Sequence, residues 1–147
     1  MKMRFSEFIE LKRGCDLPTA KRVNGHYPVI SANGINGYHN KYTSDTIGVI
    51  TGRSGTIGEV FLSKSPYWAL NTTLYVSDFK GNIPEFIYYF LKWFNLSRFA
   101  SGAVVPTLNR NHLADIEVDI PNLETQLRIT NTIPYSIFNL LKFSKIC

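Results

Sequence analysis

The sequence predicts an α+β fold: a single domain with a small, mostly antiparallel twisted sheet and amphipathic helices, strands mostly first and helices toward the C-terminus. Three observations predict it. Short β-branched and aromatic runs separated by glycine turns occupy residues 27–78. Apolar spacing then turns helical over residues 84–102. Residues 114–121, ADIEVDIP, return to strict alternation, with Ile116, Val118 and Ile120 opposite Asp115, Glu117 and Asp119.

Taken in order, FSEFIELKRG is either a short helix or an entering strand, stopped by Gly14 and Pro18. HYPVISANG reads as a strand ending in a turn at Asn33-Gly34, and the polar INGYHNKYTSD, with its second Asn-Gly, as a loop. TIGVITGRSGTIGEVFLS predicts two strands around a glycine turn, and YWALNTTLYVSDF one further strand ending at Gly81-Asn82. A helix is expected from Pro84-Glu85 to about Gly102, with Tyr88, Tyr89 and Trp93 in the core rather than on a base-stacking platform. Residues 109–113 suit a helical turn. Asn122 is a candidate N-cap for a last helix carrying Leu123, Leu127 and Ile133, which Pro134 should break.

With 147 residues, 44% hydrophobic and 18% charged, the chain has the makeup of one globular domain with a real core. Sixteen Lys and Arg exceed eleven Asp and Glu, a net charge of +5, and residues 1–64 hold nine of those cations against five acids. A polyanion partner is permitted, with its footprint in the N-terminal half. Cys15 and Cys147 lack metal-ligand spacing and suit a reducing compartment. No apolar run is long enough to span a membrane, and the charged start MKMRFSEFIELKRG is no signal peptide, so a cytoplasmic protein is expected.

The stretch VITGRSGTIGEV at 49–60 spaces Gly52, Gly55 and Gly58 three apart. A P-loop would end in Gly-Lys-Ser/Thr, whereas Glu59 follows Gly58. The dinucleotide pattern G-x-G-x-x-G also fails. A strand rather than a helix follows, so no helix N-terminus receives a phosphate. Two readings remain: a hairpin whose turn needs positive φ, or a loop tip on which Arg53, Ser54 and backbone amides grip a phosphate or a guanine edge.

Seven segments in order resemble the target recognition domain of the specificity subunit of type I restriction–modification systems. They are LKRG at 11–14, GHYPVISANG at 25–34, VITGRSGTIGEV at 49–60, WALNTTLYV at 68–76, FIYYFLK at 86–92, GAVVPTLNRNHLADIEVDIP at 102–121 and NLETQLRI at 122–129. The run ends in a Pro-x-Leu-x-x-Gln helix entry, Pro121, Leu123 and Gln126. The resemblance implies a non-catalytic DNA-recognition module, residues 1–121, followed at 122–147 by the start of a spacer helix that Pro134 interrupts. It implies double-stranded DNA, a methyltransferase (modification) subunit and a restriction–translocation subunit as partners. S-adenosylmethionine, Mg and ATP belong on those partners, and no cofactor on this chain. The family's subunit carries two recognition domains. A chain with one corresponds to half a subunit, a short form that pairs with itself, or a remnant.

Base edges and phosphates are read by Arg, Lys, Asn, Gln and hydroxyl groups on protruding loops. Four loops are rich in them. One holds Lys21, Arg22 and Asn24; the second holds Ser31, Asn33, Asn36, Tyr38, His39, Asn40 and Lys41. The glycine turn offers Arg53 and Ser54, and the last loop Thr107, Asn109, Arg110, Asn111 and His112. The DNA-contacting set expected from these is Arg53, Ser54, Arg110, Asn109, Lys21, Arg22, Asn33, His39, Asn40 and Lys41. Singly, each is also a solvated loop residue, and the Asn-Gly asparagines are turn formers.

Two rival readings are a small metal-dependent DNA endonuclease and a defective remnant or protein-interaction module without DNA affinity. For the first, Glu10-Leu11-Lys12 resembles the tail of a nuclease motif but has no suitable upstream Asp. Asp115, Glu117 and Asp119 share a strand face that suits solvent better than a cation. His26, His39 and His112 lack zinc spacing, and Cys15 has no adjacent base pattern, so neither a metal ligand set nor a catalytic residue is expected.

Overall fold

Short β-branched runs between glycine turns form nine strands within residues 1–132, the part of the chain that the computed structural model describes. They are β1 (Lys2–Arg4), β2 (Glu10–Arg13), β3 (Tyr27–Ser31), β4 (Gly34–His39), β5 (Gly48–Gly52), β6 (Val60–Ser63), β7 (Trp68–Ala69), β8 (Thr73–Asp78) and β9 (Glu117–Asp119). The helices are α1 (Phe5–Phe8), α2 (Pro84–Phe94), α3 (Arg110–Leu113) and α4 (Leu123–Thr132). Ile133 and Pro134, on which the broken last helix rests, lie outside the described residues, as does Cys147.

A central sheet runs β2-β8-β5-β6, antiparallel throughout. Beside it lies a second sheet, β4-β3-β7, in which β3 pairs antiparallel with β4 and parallel with β7. β1 pairs with β9 and joins the start of the chain to the strand before α4. The predicted α+β class with a mostly antiparallel sheet is therefore the observed one.

Strand alternation makes the central sheet a middle layer. Ile50, Phe61 and Tyr75 stand in register on one face and pack with Ile30, Tyr67 and Ala69 of the second sheet and its approach. Val49, Val60, Leu74 and Val76 turn the other way, into a core with Phe5, Phe8 and the α2 residues Phe86, Ile87, Phe90 and Phe94. The aromatics lock together there. Phe8 meets Phe90 edge-on at 5.0 Å, and Phe5 and Phe94 stack at 5.9 Å. Tyr88 is buried, and Tyr89 and Trp93 pack against this core, as expected.

Four sequence readings change. FSEFIELKRG is both a helical turn and a strand, α1 then β2. INGYHNKYTSD is not all loop: β4 occupies its first half, and its polar alternation reflects an exposed sheet edge rather than absent structure. YWALNTTLYVSDF is two strands in different sheets, split by a turn at 71–72. α2 stops at Phe94 rather than near Gly102, because Asn95 adopts the left-handed conformation (φ 56°) that closes a helix.

The C-terminal helix entry holds its own correction. Asn122 caps α4 as expected, its Oδ1 accepting from Thr125 N at 2.9 Å. Leu123 and Leu127, however, are about half exposed, and the residue α4 buries is Gln126. Its Oε1 accepts from Ile83 N at 3.0 Å, and its Nε2 donates to Asn82 Oδ1 and Pro121 O, both at 2.9 Å. The Pro-x-Leu-x-x-Gln pattern is thus a polar clasp between the first turns of α2 and α4. The acids of β9 and its approach face cations at the start of the chain: Met1 ammonium to Asp119 at 2.9 Å, Lys2 to Glu117 at 3.8 Å and Arg4 to Asp115, just before β9, at 3.9 Å. These exposed pairs contribute little stability.

Candidate nucleic-acid interface

Four loops meet where β5 ends and β8 begins. Gly52 starts this junction because Thr56 folds back over it: a Cβ at Gly52 would lie 1.9 Å from Thr56 O. Arg53 N and Ser54 N both donate to Thr72 O, at 2.8 and 3.2 Å. Leu108 N donates to Arg53 O at 2.7 Å, and Gly55 N to Pro106 O at 3.0 Å. The Thr56 hydroxyl donates to Asn33 Oδ1, and Ala32 N donates to Thr72 Oγ1 at 3.3 Å. Segments 32–33, 53–56, 71–72 and 106–108 therefore form one hydrogen-bonded ledge, and the hairpin reading and the presenting-loop reading of 49–60 describe the same object.

Arg53 stands on this ledge. Its Nε donates to Asn71 O at 2.9 Å, which orients the guanidinium, while its terminal nitrogens have no protein partner among the described residues. Arg13 reaches the same place from the other side of β8: it stands in register with Leu74, and Gly14 N donates to Thr73 O at 3.1 Å. Partial burial, and then the neighbouring Arg13 charge, pull the Arg53 pKa below its ordinary value. Among the described residues the ion pairs join Met1, Lys2, Arg4 and Arg128 to acids, and none includes Arg13 or Arg53. Two neighbouring arginines without a carboxylate suit a polyanion.

Arg110 opens α3, two residues beyond the Leu108–Arg53 bond. Its Nη1 donates to Leu11 O at 3.0 Å, beside a hollow of about 570 Å³ that Glu10, Lys12, Lys80 and Asn111 also line. Asn109 caps α3, its Oδ1 accepting from Asn111 N at 2.9 Å. The structure thus gathers Arg53, Ser54, Asn33 and Asn109 around one end of the central sheet, whereas the Arg110 guanidinium turns away from that ledge to Leu11, which stands opposite Val76 farther along β8.

The other predicted contacts lie elsewhere. Arg22 acts as a strut: its Nη1 donates to the backbone O of Asn36 and to Asn36 Oδ1, the latter at 3.1 Å. Lys21 is exposed on the adjoining 3₁₀ turn, Thr19–Lys21. Asn40 and Lys41 are exposed beyond the far end of β4, about 20 Å from Asn33 at the usual rise per strand residue. His39 is corrected outright as a loop residue. It ends β4 and is only 5% exposed, its Nδ1 accepts from Val23 N at 3.1 Å, and Trp68 stands edge-on at 5.3 Å. Sequence reasoning missed Arg13 as a site residue; its signal was the cation pair before Gly14 in LKRG. It also missed Thr56 and Thr72, whose hydroxyls splice the loops together and which carry no signal in one dimension.

Residues 1–135 match the family described as the type I restriction modification DNA specificity domain, and the chain belongs to that family. The specificity subunit of the type I restriction enzyme EcoprrI of Escherichia coli is 28% identical over 130 residues, 88% of this chain and 32% of that one. The chain therefore spans about a third of the length of that curated relative. Its fold is similar to that of the S subunit of a type I restriction–modification system from M. genitalium, with a TM-score of 0.79 at 20% identity over 95% of this chain and 39% of that one. The HsdS subunit from Thermoanaerobacter tengcongensis aligns with a TM-score of 0.70 at 12% identity, covering 95% of this chain and 37% of that chain.

Proposed function

We propose that this chain recognises double-stranded DNA sequence-specifically, as half of the specificity function of a type I restriction–modification complex, and performs no covalent chemistry. The observation that carries this reading is the four-loop ledge with its uncompensated Arg13–Arg53 pair, in a chain of the DNA specificity domain family. Arg53, oriented through Nε, offers its terminal nitrogens to a phosphate or to the O6 and N7 of guanine. Ser54, Asn33 and Asn109 supply neutral hydrogen-bonding groups beside it, and Arg110, held over β2 at Leu11, would add a separate, more distant positive charge. Lys21, Arg22, Asn40 and Lys41 would meet more distant phosphates.

Methylation of adenine, translocation and cleavage then belong to partner subunits, with S-adenosylmethionine, Mg and ATP bound there. Residues 1–121 form the recognition unit. The segment 122–147, which opens with α4, seats the methyltransferase and a second recognition domain, which a second copy of the chain can supply. The complex works in the cytoplasm, consistent with the finding that no helix among the described residues is long and apolar enough to cross a membrane. No observation favours the nuclease reading.

Fluorescence anisotropy of labelled duplexes across a salt series tests this reading. Arg53→Ala should weaken binding about tenfold or more and lower the slope of log affinity against log salt by about one if it grips a phosphate. Affinity and slope both unchanged would remove Arg53 from the interface, and duplex cleavage by the purified chain with Mg alone would overturn the non-catalytic assignment.

A further inference from the structure

Beside Arg53 the chain holds apolar side chains in solvent on a stiff support. Ser101 and Thr107 exchange two backbone bonds, Ser101 N to Thr107 O at 2.9 Å and Thr107 N to Ser101 O at 2.7 Å, and so close a loop over 102–106. Gly102 makes the loop tight. Its φ is +108°, and a Cβ there would lie 2.5 Å from Val105 O. At the tip Val104 is 93% exposed and Val105 53%. The base of this loop is part of the ledge, through Gly55 N to Pro106 O and Leu108 N to Arg53 O.

We infer that Val104 and Val105 are a specificity element that contacts a thymine methyl group in the major groove. The inference rests on the DNA reading above. Arg53, bonded through its backbone O to Leu108 at the base of this loop, marks the occupant of this edge as a polyanion, and a duplex offers few apolar features to a protruding tip. Phosphates are charged, and base edges carry donors and acceptors, except for the thymine C5 methyl. The side chains that wedge base steps apart are mostly longer ones. Valine is short and stiff about χ1, which suits one methyl contact rather than insertion.

The test uses the full chain. A duplex is enriched from a randomised pool, and each thymine in it is then replaced singly by deoxyuridine, which lacks only the methyl. Affinities are measured for the wild type, Val104→Ser and Val105→Ser. Both substituted positions are exposed, and circular dichroism checks that the fold is kept. At one thymine, deoxyuridine should weaken the wild type about fourfold, the value of one apolar methyl, and leave one of the variants unaffected. The same deoxyuridine profile in all three proteins overturns the inference while the DNA reading stands. A wild-type chain that enriches no duplex overturns both.

Discussion

The sharpest test of the ledge is Gly52→Ala. The φ at Gly52 suits any residue, so the added methyl acts by collision alone. Its Cβ would sit 1.9 Å from Thr56 O and 3.3 Å from Ala32 Cβ, and the first is far inside any tolerated approach. The oxygen belongs to backbone, so the 53–56 segment must lift by more than about 1 Å. Overpacking of this kind costs about 1–3 kcal/mol, and loss of the Thr56–Asn33 bond about 1 kcal/mol more. A total near 3 kcal/mol, with a urea slope of about 2 kcal/mol/M, lowers the unfolding midpoint by about 1.5 M. Gly55→Ala is the control. Nothing lies within 4 Å of its Cβ, and only its φ of +90° resists, worth about 1–2 kcal/mol. Lifting the loop should also weaken DNA binding more in Gly52→Ala than in Gly55→Ala. Equal or smaller midpoint loss in Gly52→Ala would refute the claim that close approach shapes this loop.

Two further predictions concern buried polar groups. Gln126→Ala leaves Ile83 N, Asn82 Oδ1 and Pro121 O without their partner and should cost about 2–4 kcal/mol by thermal denaturation, whereas Leu127→Ala, on an exposed site, should stay within about 0.5 kcal/mol. The Tyr67 hydroxyl is fully buried without a hydrogen-bond partner among the described residues; Ser44 eases its ionisation but stands outside bonding geometry. Burial pushes this phenol up to about 12, so between pH ~10 and ~12 the unfolded chain releases a proton that the folded chain keeps. Stability should therefore fall by about 2–3 kcal/mol as pH rises through that window, and urea midpoints of Tyr67→Phe should lack this component and equal or exceed the wild type at neutral pH.

Legibility followed the range of the physics. Alternation at 114–121, the helix start at Pro84, the helical turn at 109–113 and the cap at Asn122 depend on neighbours a few residues away, and each is present as read. β4 was hidden because an exposed edge strand has no apolar face to show in its pattern. β7 and β8 read as one strand because their separation depends on which sheet each joins. His39 read as a loop donor because nothing local reveals that Val23 and Trp68 close over it.

What the chain determined by itself was the α+β class, the family and the glycine-shaped loop at 52–58, since composition, periodicity and ordered motifs are local or cumulative properties. Tertiary structure alone decided that Arg13 stands beside Arg53, that Asn33 and Thr56 tie two loops into one ledge, and that Gln126 rather than a leucine anchors α4. Those facts rest on pairings between residues separated by 18 to 61 positions, such as Arg53–Asn71, Thr56–Asn33, Gln126–Asn82 and Arg13–Leu74. Only a folded backbone brings such partners within reach.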